Sequence, residues 1–131
     1  AILQSELSNL ISDATYPTEG MPHPRVYGTF PRLIQHFVME KHILTPEQAV
    51  RKMTALPAKA LRLRGKGCIA VGMDADLCVF DLAQLRENGD YQHPCRMASG
   101  LDAVLVAGEA AVIHDTYTGA QAGTVIRRDT L

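Results

Sequence analysis

The spacing of apolar residues changes near Leu63, and this change limits the folds that the chain can adopt. Before it, apolar residues recur at the helical spacing of Phe30, Leu33, Ile34, Phe37 and Val38. After it, glycines alternate with short apolar runs that are typical of strands. A chain of 131 residues is long enough for one hydrophobic core. We therefore expect an α/β chain, with an α-rich segment at residues 1–63 and a β-rich segment at residues 64–131.

Prolines mark the helices expected in the first segment. One helix is predicted to begin at Pro31 and a short one to run from Pro57 to about Leu61. Between them, Thr45 is a good N-cap before Pro46, and Gln48 follows three residues after the cap. This spacing predicts a capping box at the start of the middle helix.

The first 29 residues contain the most informative irregular stretch. Leu3 and Leu7 share one face of a short predicted helix, and Leu10 and Ile11 form a short apolar run that we interpret as a buried strand. Residues 14–29, rich in proline and glycine, follow as a long loop. A loop of this length in a small domain indicates a functional role.

The second segment contains the expected strands. Residues 77–80 are apolar on both faces of a predicted strand, and residues 84–97 form a polar loop. Residues 103–106 and 110–113 flank Gly108, which suits the tight turn of a hairpin. A last short strand is predicted at residues 124–127.

Charge and hydropathy exclude several partners. The 13 basic and 14 acidic residues leave a net charge of −1, so we expect no nucleic-acid partner. Apolar runs end well short of the ~20 residues that span a bilayer, so we expect no membrane partner. The three cysteines are odd in number and widely spaced, which favours free thiols in a reducing cytoplasm.

Asp13, His23 and Arg25 are the candidate functional residues. Asp13 directly follows the predicted strand, where α/β folds place metal ligands and proton shuttles, although spacing alone favours a local cap of the loop. Arg25 could clamp a carboxylate with its two-pronged guanidinium, or it could be an ordinary solvated arginine. The five histidines show no chelating pair at i,i+2 or i,i+4. We therefore expect no complete metal site within this chain.

Three stretches resemble the amidohydrolase superfamily. Residues 47–58 (EQAVRKMTALPA) are similar to the last helices of its barrels. Residues 67–81 (GCIAVGMDADLCVFD) resemble its entry into a small β-domain, and residues 104–109 (VLVAGE) resemble the hairpin that follows. Residues 23–32 (HPRVYGTFPR) and 117–127 (YTGAQAGTVIR) narrow the resemblance to the N-acyl-D-amino-acid deacylases, or D-aminoacylases.

The resemblance implies a zinc-dependent hydrolase of N-acyl-D-amino acids. The chain would be the last part of a (β/α)₈ barrel followed by C-terminal strands of a small β-sandwich. Asp13 matches the family acid that touches the metal and shuttles a proton, Arg25 the residue that holds the substrate α-carboxylate, and His23 a support of that substrate-binding loop. The family usually has glycine after the acid, where this chain has Ala14.

The other zinc ligands of the family lie upstream of the matching region. We therefore expect zinc in the intact enzyme but none held by this chain alone, and the chain's start at Ala1 fits a fragment or a processed product. Its partners would be the N-acyl-D-amino acid substrate and the missing N-terminal part of the enzyme, or a second copy that pairs with exposed strand edges. Two alternatives stay open: a stand-alone, non-catalytic assembly module, and another amidohydrolase such as a hydantoinase-like or dihydroorotase-like enzyme.

Overall fold

A computed structural model describes residues 2–15 and 20–126 of the chain. Its helices are α1 (Arg25–Arg32), a π-helix (Leu33–Glu40), α2 (Pro46–Met53) and α3 (Ala55–Leu61). Its strands are β1 (Leu77–Phe80), β2 (Leu101–Val106), β3 (Glu109–Ile113) and β4 (Thr116–Tyr117). The mixed helix and strand content expected from the sequence is confirmed. No helix among the described residues is long and apolar enough to cross a membrane.

The first helix begins six residues earlier than expected. We predicted a start at Pro31, but α1 begins at Arg25 and Pro31 lies inside it. The helix then continues directly into the π-helix, whose wider turns end with a hydrogen bond from the Lys41 amide to the His36 carbonyl, five residues back (2.9 Å). The helix therefore carries Arg25 on its first turn, where the sequence indicated a loop.

The capping box of α2 is confirmed. The Gln48 amide donates to the Thr45 hydroxyl oxygen (3.2 Å), and the Thr45 amide donates to the Gln48 side-chain oxygen (2.9 Å). Pro46 takes the first helical position, where its missing N–H costs nothing. The next helix, α3, begins at Ala55, two residues before the predicted start.

The helix and the strand expected in residues 1–13 are wrong for the described residues, since residues 2–15 form turns and extended backbone. Leu10 finds no strand partner there; its amide donates instead to the Lys52 carbonyl on α2 (3.0 Å). The Lys52 side chain is only 3% exposed, and its ammonium donates to the Ser5 carbonyl (2.6 Å) and the Ser8 carbonyl (2.8 Å). The segment before Asp13 is thus fixed to α2 by hydrogen bonds rather than by a sheet.

The strands form one antiparallel sheet in the order β1-β2-β3-β4. The predicted hairpin is confirmed: Ala107 (φ 51°) and Gly108 (φ 83°) turn the chain between β2 and β3. The Ala107 amide donates to the Asp76 carboxylate (2.8 Å), which also pairs with the Lys66 ammonium. The hydrogen bond from Lys66 has the larger effect and that from the Ala107 amide the smaller, and together they hold the pKa of Asp76 below its usual range. The turn is thereby attached to the entry of β1.

The strand predicted at residues 124–127 is wrong for the described residues. Residues 124–126 are not in a strand, and residue 127 lies outside the described residues. The loop predicted at residues 84–97 contains no strand, although Arg86 and Ser99 pair in a single antiparallel bridge.

The hydrophobic core joins both segments of the chain. Its buried members come from the π-helix, from α2 and from two connections: Leu33, Ile34, Val38, Leu44, Ala49 and Leu85. Leu85 belongs to the connection between β1 and β2, so this polar stretch packs on the helices through one apolar residue. We use "return loop" below for residues 84–99.

Candidate active site

Asp13 and Arg25 form an ion pair, with 3.3 Å between the Asp13 Oδ2 and Arg25 Nη2 atoms. Their side chains are 78% and 42% exposed, respectively. Exposed pairs of this kind contribute little to stability. The pair therefore matters for its chemistry: an accessible carboxylate lies beside an accessible guanidinium. The structure thus places the side chains of two of the three residues singled out in the sequence in direct contact.

The backbone at Asp13 is in the left-handed region, with φ at 47°. Residues with a β-carbon rarely adopt this backbone conformation, and aspartate is among the residues that tolerate it best. Such strained residues cluster at functional sites, where the surrounding structure holds them in place. Here the holding contacts include the hydrogen bond that the Leu10 amide, three residues upstream, donates to the Lys52 carbonyl, and those that the Lys52 ammonium donates to Ser5 and Ser8.

Arg25 is positioned by the start of α1. It is the first residue of the helix, and its amide donates to the Nδ1 atom of His23 (3.0 Å). The His23 ring therefore caps the helix end, where amides lack partners within the helix. The ordering of Arg25 depends on a neighbour two residues earlier in the chain.

His23 also contacts a residue that the sequence reasoning missed. Its Nε2 atom lies 3.1 Å from the Tyr91 hydroxyl, and the two rings meet edge to face with centroids 5.1 Å apart. Tyr91 lies in the return loop, whose polar sequence shows no periodicity and no motif. No signal in the sequence placed it near residues 23–25.

A second contact connects the return loop to α1. The Glu87 carboxylate accepts from the Arg32 guanidinium (2.9 Å), and the Glu87 amide donates to the Gln35 side-chain oxygen (2.9 Å). Gly28 leaves room for this carboxylate, since a β-carbon there would lie 2.6 Å from a Glu87 oxygen. The return loop thus lies against the part of α1 after Arg25 and against the start of the π-helix.

The described residues offer one candidate metal ligand at this site. Among residues 2–15 and 20–126, no group of three or more His, Cys, Asp or Glu side chains could hold a metal ion. Zinc in proteins is almost always four-coordinate. The Asp13 carboxylate is accessible and can supply one oxygen ligand, so it fits such a site as one member of a larger set. The three cysteines are free and exposed.

The comparison with protein families decides what kind of chain this is. Residues 9–112 match the model of the amidohydrolase family. The chain belongs to the amidohydrolase family.

Relatives within this family are named deacylases. The chain is 37% identical over 91% of its length to a D-aminoacylase and 38% identical over 98% to an N-acyl-D-glutamate deacylase, both of Alcaligenes xylosoxydans xylosoxydans. These alignments cover 25% and 26% of the two relatives. This amidohydrolase chain therefore spans about a quarter of the length of the curated relatives it matches.

Solved structures agree with this relationship. A crystal structure of D-aminoacylase, described as defining a novel subset of amidohydrolases, superposes with a TM-score of 0.79 at 38% identity. This superposition covers 83% of the present chain and 23% of the D-aminoacylase chain. A second structure is that of the N-acyl-D-glutamate deacylase of Bordetella bronchiseptica, complexed with zinc and a phosphonate inhibitor that mimics the tetrahedral intermediate. It superposes with a TM-score of 0.73 at 36% identity, and the superposition covers 76% of the present chain and 21% of the deacylase chain. The amidohydrolase fold relationship thus rests on structure as well as sequence.

Proposed function

We propose that this chain is the C-terminal part of a zinc-dependent deacylase that cleaves the amide bond of N-acyl-D-amino acids to give a carboxylate and a D-amino acid. The observation that supports this most directly is the ion pair of Asp13 and Arg25 in a chain related to deacylases. One partner can move a proton and the other can bind an anion. An N-acyl amino acid has both needs, since it has an amide to cleave and a carboxylate to bind.

The short distance between the two side chains suits this substrate. The α-carboxylate of an N-acyl amino acid is separated from the amide nitrogen by a single carbon atom. An anchor at Arg25 would therefore bring the nitrogen close to Asp13, whose carboxylate is 3.3 Å from the guanidinium. Arginine has five N–H donors, so it can bind the substrate carboxylate while keeping its contact with Asp13.

Asp13 acts as the general base and general acid in this proposal. Its carboxylate accepts a proton from the attacking water and passes it to the departing nitrogen. An amine leaves poorly until it is protonated, so the acid must be within reach of that nitrogen. Zinc, when bound, lowers the pKa of water and polarises the amide carbonyl. Asp13 is the residue of this chain that would contribute a ligand, the others coming from the preceding part of the enzyme.

The proposal includes a more detailed architecture. Residues 1–63 would be the end of the (β/α)₈ barrel, in which the extended backbone before Asp13 would pair as a strand only with the preceding part of the enzyme. Residues 64–131 would be C-terminal strands of the small β-sandwich. An open apolar groove of about 470 Å³, whose lining includes Leu3, Leu10, Leu33 and Phe37, supports a partner segment at this face. The free, exposed cysteines support a reducing, cytoplasmic location.

A substrate panel tests the proposed activity. The enzyme that contains this chain, loaded with zinc, is assayed against N-acetyl derivatives of neutral D-amino acids, D-glutamate and D-aspartate, with their L-enantiomers as controls. We expect hydrolysis of D-substrates only. Turnover of hydantoins or dihydroorotate alone would assign it to ring-opening amidohydrolases. Inactivity on every substrate would favour the assembly module.

Replacing Arg25 should weaken substrate binding. For Arg25→Met we expect kcat/KM to fall about 10-fold to 100-fold, the effect of losing a charge-assisted pair of hydrogen bonds. Most of the change should be in KM, because the α-carboxylate is bound alike before and during reaction. Arg51→Met is the matched control: Arg51 is an exposed arginine of α2 that pairs with Glu6 (2.5 Å). Equal losses in both variants would contradict a role for Arg25 in binding.

The isolated 131-residue chain should self-associate. Large apolar side chains are exposed on both segments, among them Ile2, Leu7, Ile11, Ile69 and Val71. Exposed apolar surface of this kind favours association with another chain. Size-exclusion chromatography with light scattering should show dimers or larger species. A clean monomer at all concentrations would contradict this prediction.

A further inference from the structure

The return loop contacts the candidate site through one side chain, Tyr91. Asp90 precedes it and accepts hydrogen bonds from the amides of Gln92 (2.8 Å) and His93 (2.6 Å), which closes a tight turn around Tyr91. The Tyr91 side chain is therefore presented by an ordered turn, although the residue is 75% exposed. Its hydroxyl lies 3.1 Å from His23 Nε2.

The two contacts of His23 require one arrangement of its proton. Nδ1 accepts a hydrogen bond from the Arg25 amide, so in the neutral ring this nitrogen is unprotonated. The proton is then on Nε2, which donates to the Tyr91 oxygen. The opposite tautomer would place an N–H group against the Arg25 N–H group. The Arg25 amide thus selects the tautomer, and the contact with Tyr91 holds the ring in the orientation in which Nδ1 can cap α1 at Arg25.

We propose that Tyr91 is a positioning residue: through His23 it holds the start of α1, and so the guanidinium of Arg25, in place beside Asp13. The hydrogen-bonded path runs from the Tyr91 hydroxyl through the His23 ring to the Arg25 amide, and the Arg25 side chain ends 3.3 Å from Asp13. The expected effect on substrate binding rests on the proposed deacylase function. The effect on the His23 ring does not.

Kinetics in the enzyme that contains this chain give the first test. Tyr91→Phe keeps the ring and removes the hydroxyl, and we expect KM for an N-acetyl-D-amino acid to rise about threefold to tenfold with kcat nearly unchanged. Tyr117→Phe is the matched control, because Tyr117 is also exposed and donates to the Ala120 carbonyl (2.8 Å) far along the chain from the site. The control should leave KM unchanged.

A double-mutant cycle tests whether Tyr91 acts through His23. In a His23→Ala background, Tyr91→Phe should add nothing to the rise in KM. If instead the two single effects add in full, Tyr91 does not act through His23 and the inference is overturned.

A measurement independent of activity separates this inference from the proposed function. Nitrogen-15 spectra of ring-labelled histidine, recorded at mildly alkaline pH, report the tautomer, with His23→Gln assigning its signals among the five histidines. In the unsubstituted protein, one His23 nitrogen should resonate as unprotonated and the other as protonated. In Tyr91→Phe the ring should lose its fixed orientation and with it the hydrogen bond from the Arg25 amide, so the two signals should move towards each other as the tautomers mix. Unchanged His23 signals would overturn the inference, whereas changed signals in an enzyme without deacylase activity would support it and refute the proposed function.

Discussion

Asp13→Asn should lower kcat for an N-acyl-D-amino acid by about 10²-fold to 10⁴-fold, the usual contribution of general acid–base catalysis. Asparagine has the same shape as aspartate but cannot accept and return the proton. It also tolerates the left-handed backbone found at residue 13 (φ 47°), so the loop should keep its conformation. The lost ion pair with Arg25 is exposed and should cost little stability.

The measurement is steady-state kinetics on the enzyme that contains this chain, with thermal unfolding as a check of the fold. Asp102→Asn serves as the matched control, because Asp102 is an exposed residue of β2 in the other segment of the chain. The control should keep its kcat. A near-normal kcat in Asp13→Asn would remove Asp13 from the mechanism.

Gly100→Ala should lower the free energy of unfolding by about 2–4 kcal/mol. A β-carbon at residue 100 would lie 2.4 Å from the Gln84 carbonyl oxygen and 2.5 Å from its carbon, which are backbone atoms that cannot rotate away. Overpacking of this kind costs about 1–3 kcal/mol. The left-handed backbone of Gly100 (φ 89°) adds about 1 kcal/mol for any residue with a β-carbon.

The clash would also disturb the end of the return loop. The Gly100 amide donates to the Asp115 carboxylate (3.0 Å), and the Leu101 amide donates to it as well (2.7 Å). The hydrogen bond from the Gly100 amide has the larger effect and that from the Leu101 amide the smaller, and together they hold the pKa of Asp115 below its usual range. They connect the start of β2 to the turn after β3.

Gly72→Ala separates the two contributions. Gly72 has nearly the same backbone conformation (φ 86°), but nothing lies within 4 Å of its would-be β-carbon. Urea unfolding should therefore show a loss of about 1 kcal/mol for Gly72→Ala and a clearly larger one for Gly100→Ala. Equal losses would show that the close approach of Gln84 does not contribute.

Elements specified by neighbouring residues were predictable from the sequence. Thr45, Pro46 and Gln48 contain all that the start of α2 needs, and Gly108 supplies the turn of the hairpin. Elements that depend on distant partners were not. Leu10 and Ile11 are apolar, but a strand also requires a neighbour to pair with, and here Leu10 bonds to the Lys52 carbonyl instead.

The helix at residues 25–40 shows a second limit. The apolar spacing from Phe30 to Val38 indicated a helix, but it cannot distinguish an α-helix from one with wider turns. Pro31 was interpreted as a start signal, yet α1 begins at Arg25, whose amide donates to the side chain of His23. A histidine is not among the usual capping residues, so its role could not be inferred from residue type.

Part of the candidate site could be predicted from the sequence. Asp13 and Arg25 stood out because of their chemistry and their positions in or beside a long loop, and the structure places them in contact. Tyr91 and Glu87 did not stand out, because a polar loop shows no period that reveals which of its side chains contact other elements. Their roles depend on the course of the folded backbone, which brings residues more than 50 positions apart in the sequence into hydrogen-bonding distance.

The return loop has a consequence for how such chains can diversify. Exchanging segments between related genes at residue 63 would seem natural, because helices end there and strands begin later. Such a crossover would take Glu87 and Tyr91 from one parent and Arg32 and His23 from the other, and would separate Leu85 from the core that it completes. A hybrid would function only if the two parents agreed at these contacts. The two segments should therefore be inherited as one unit, and a viable exchange point should lie beyond β4, because an earlier one would divide the sheet in which β1 pairs with β2.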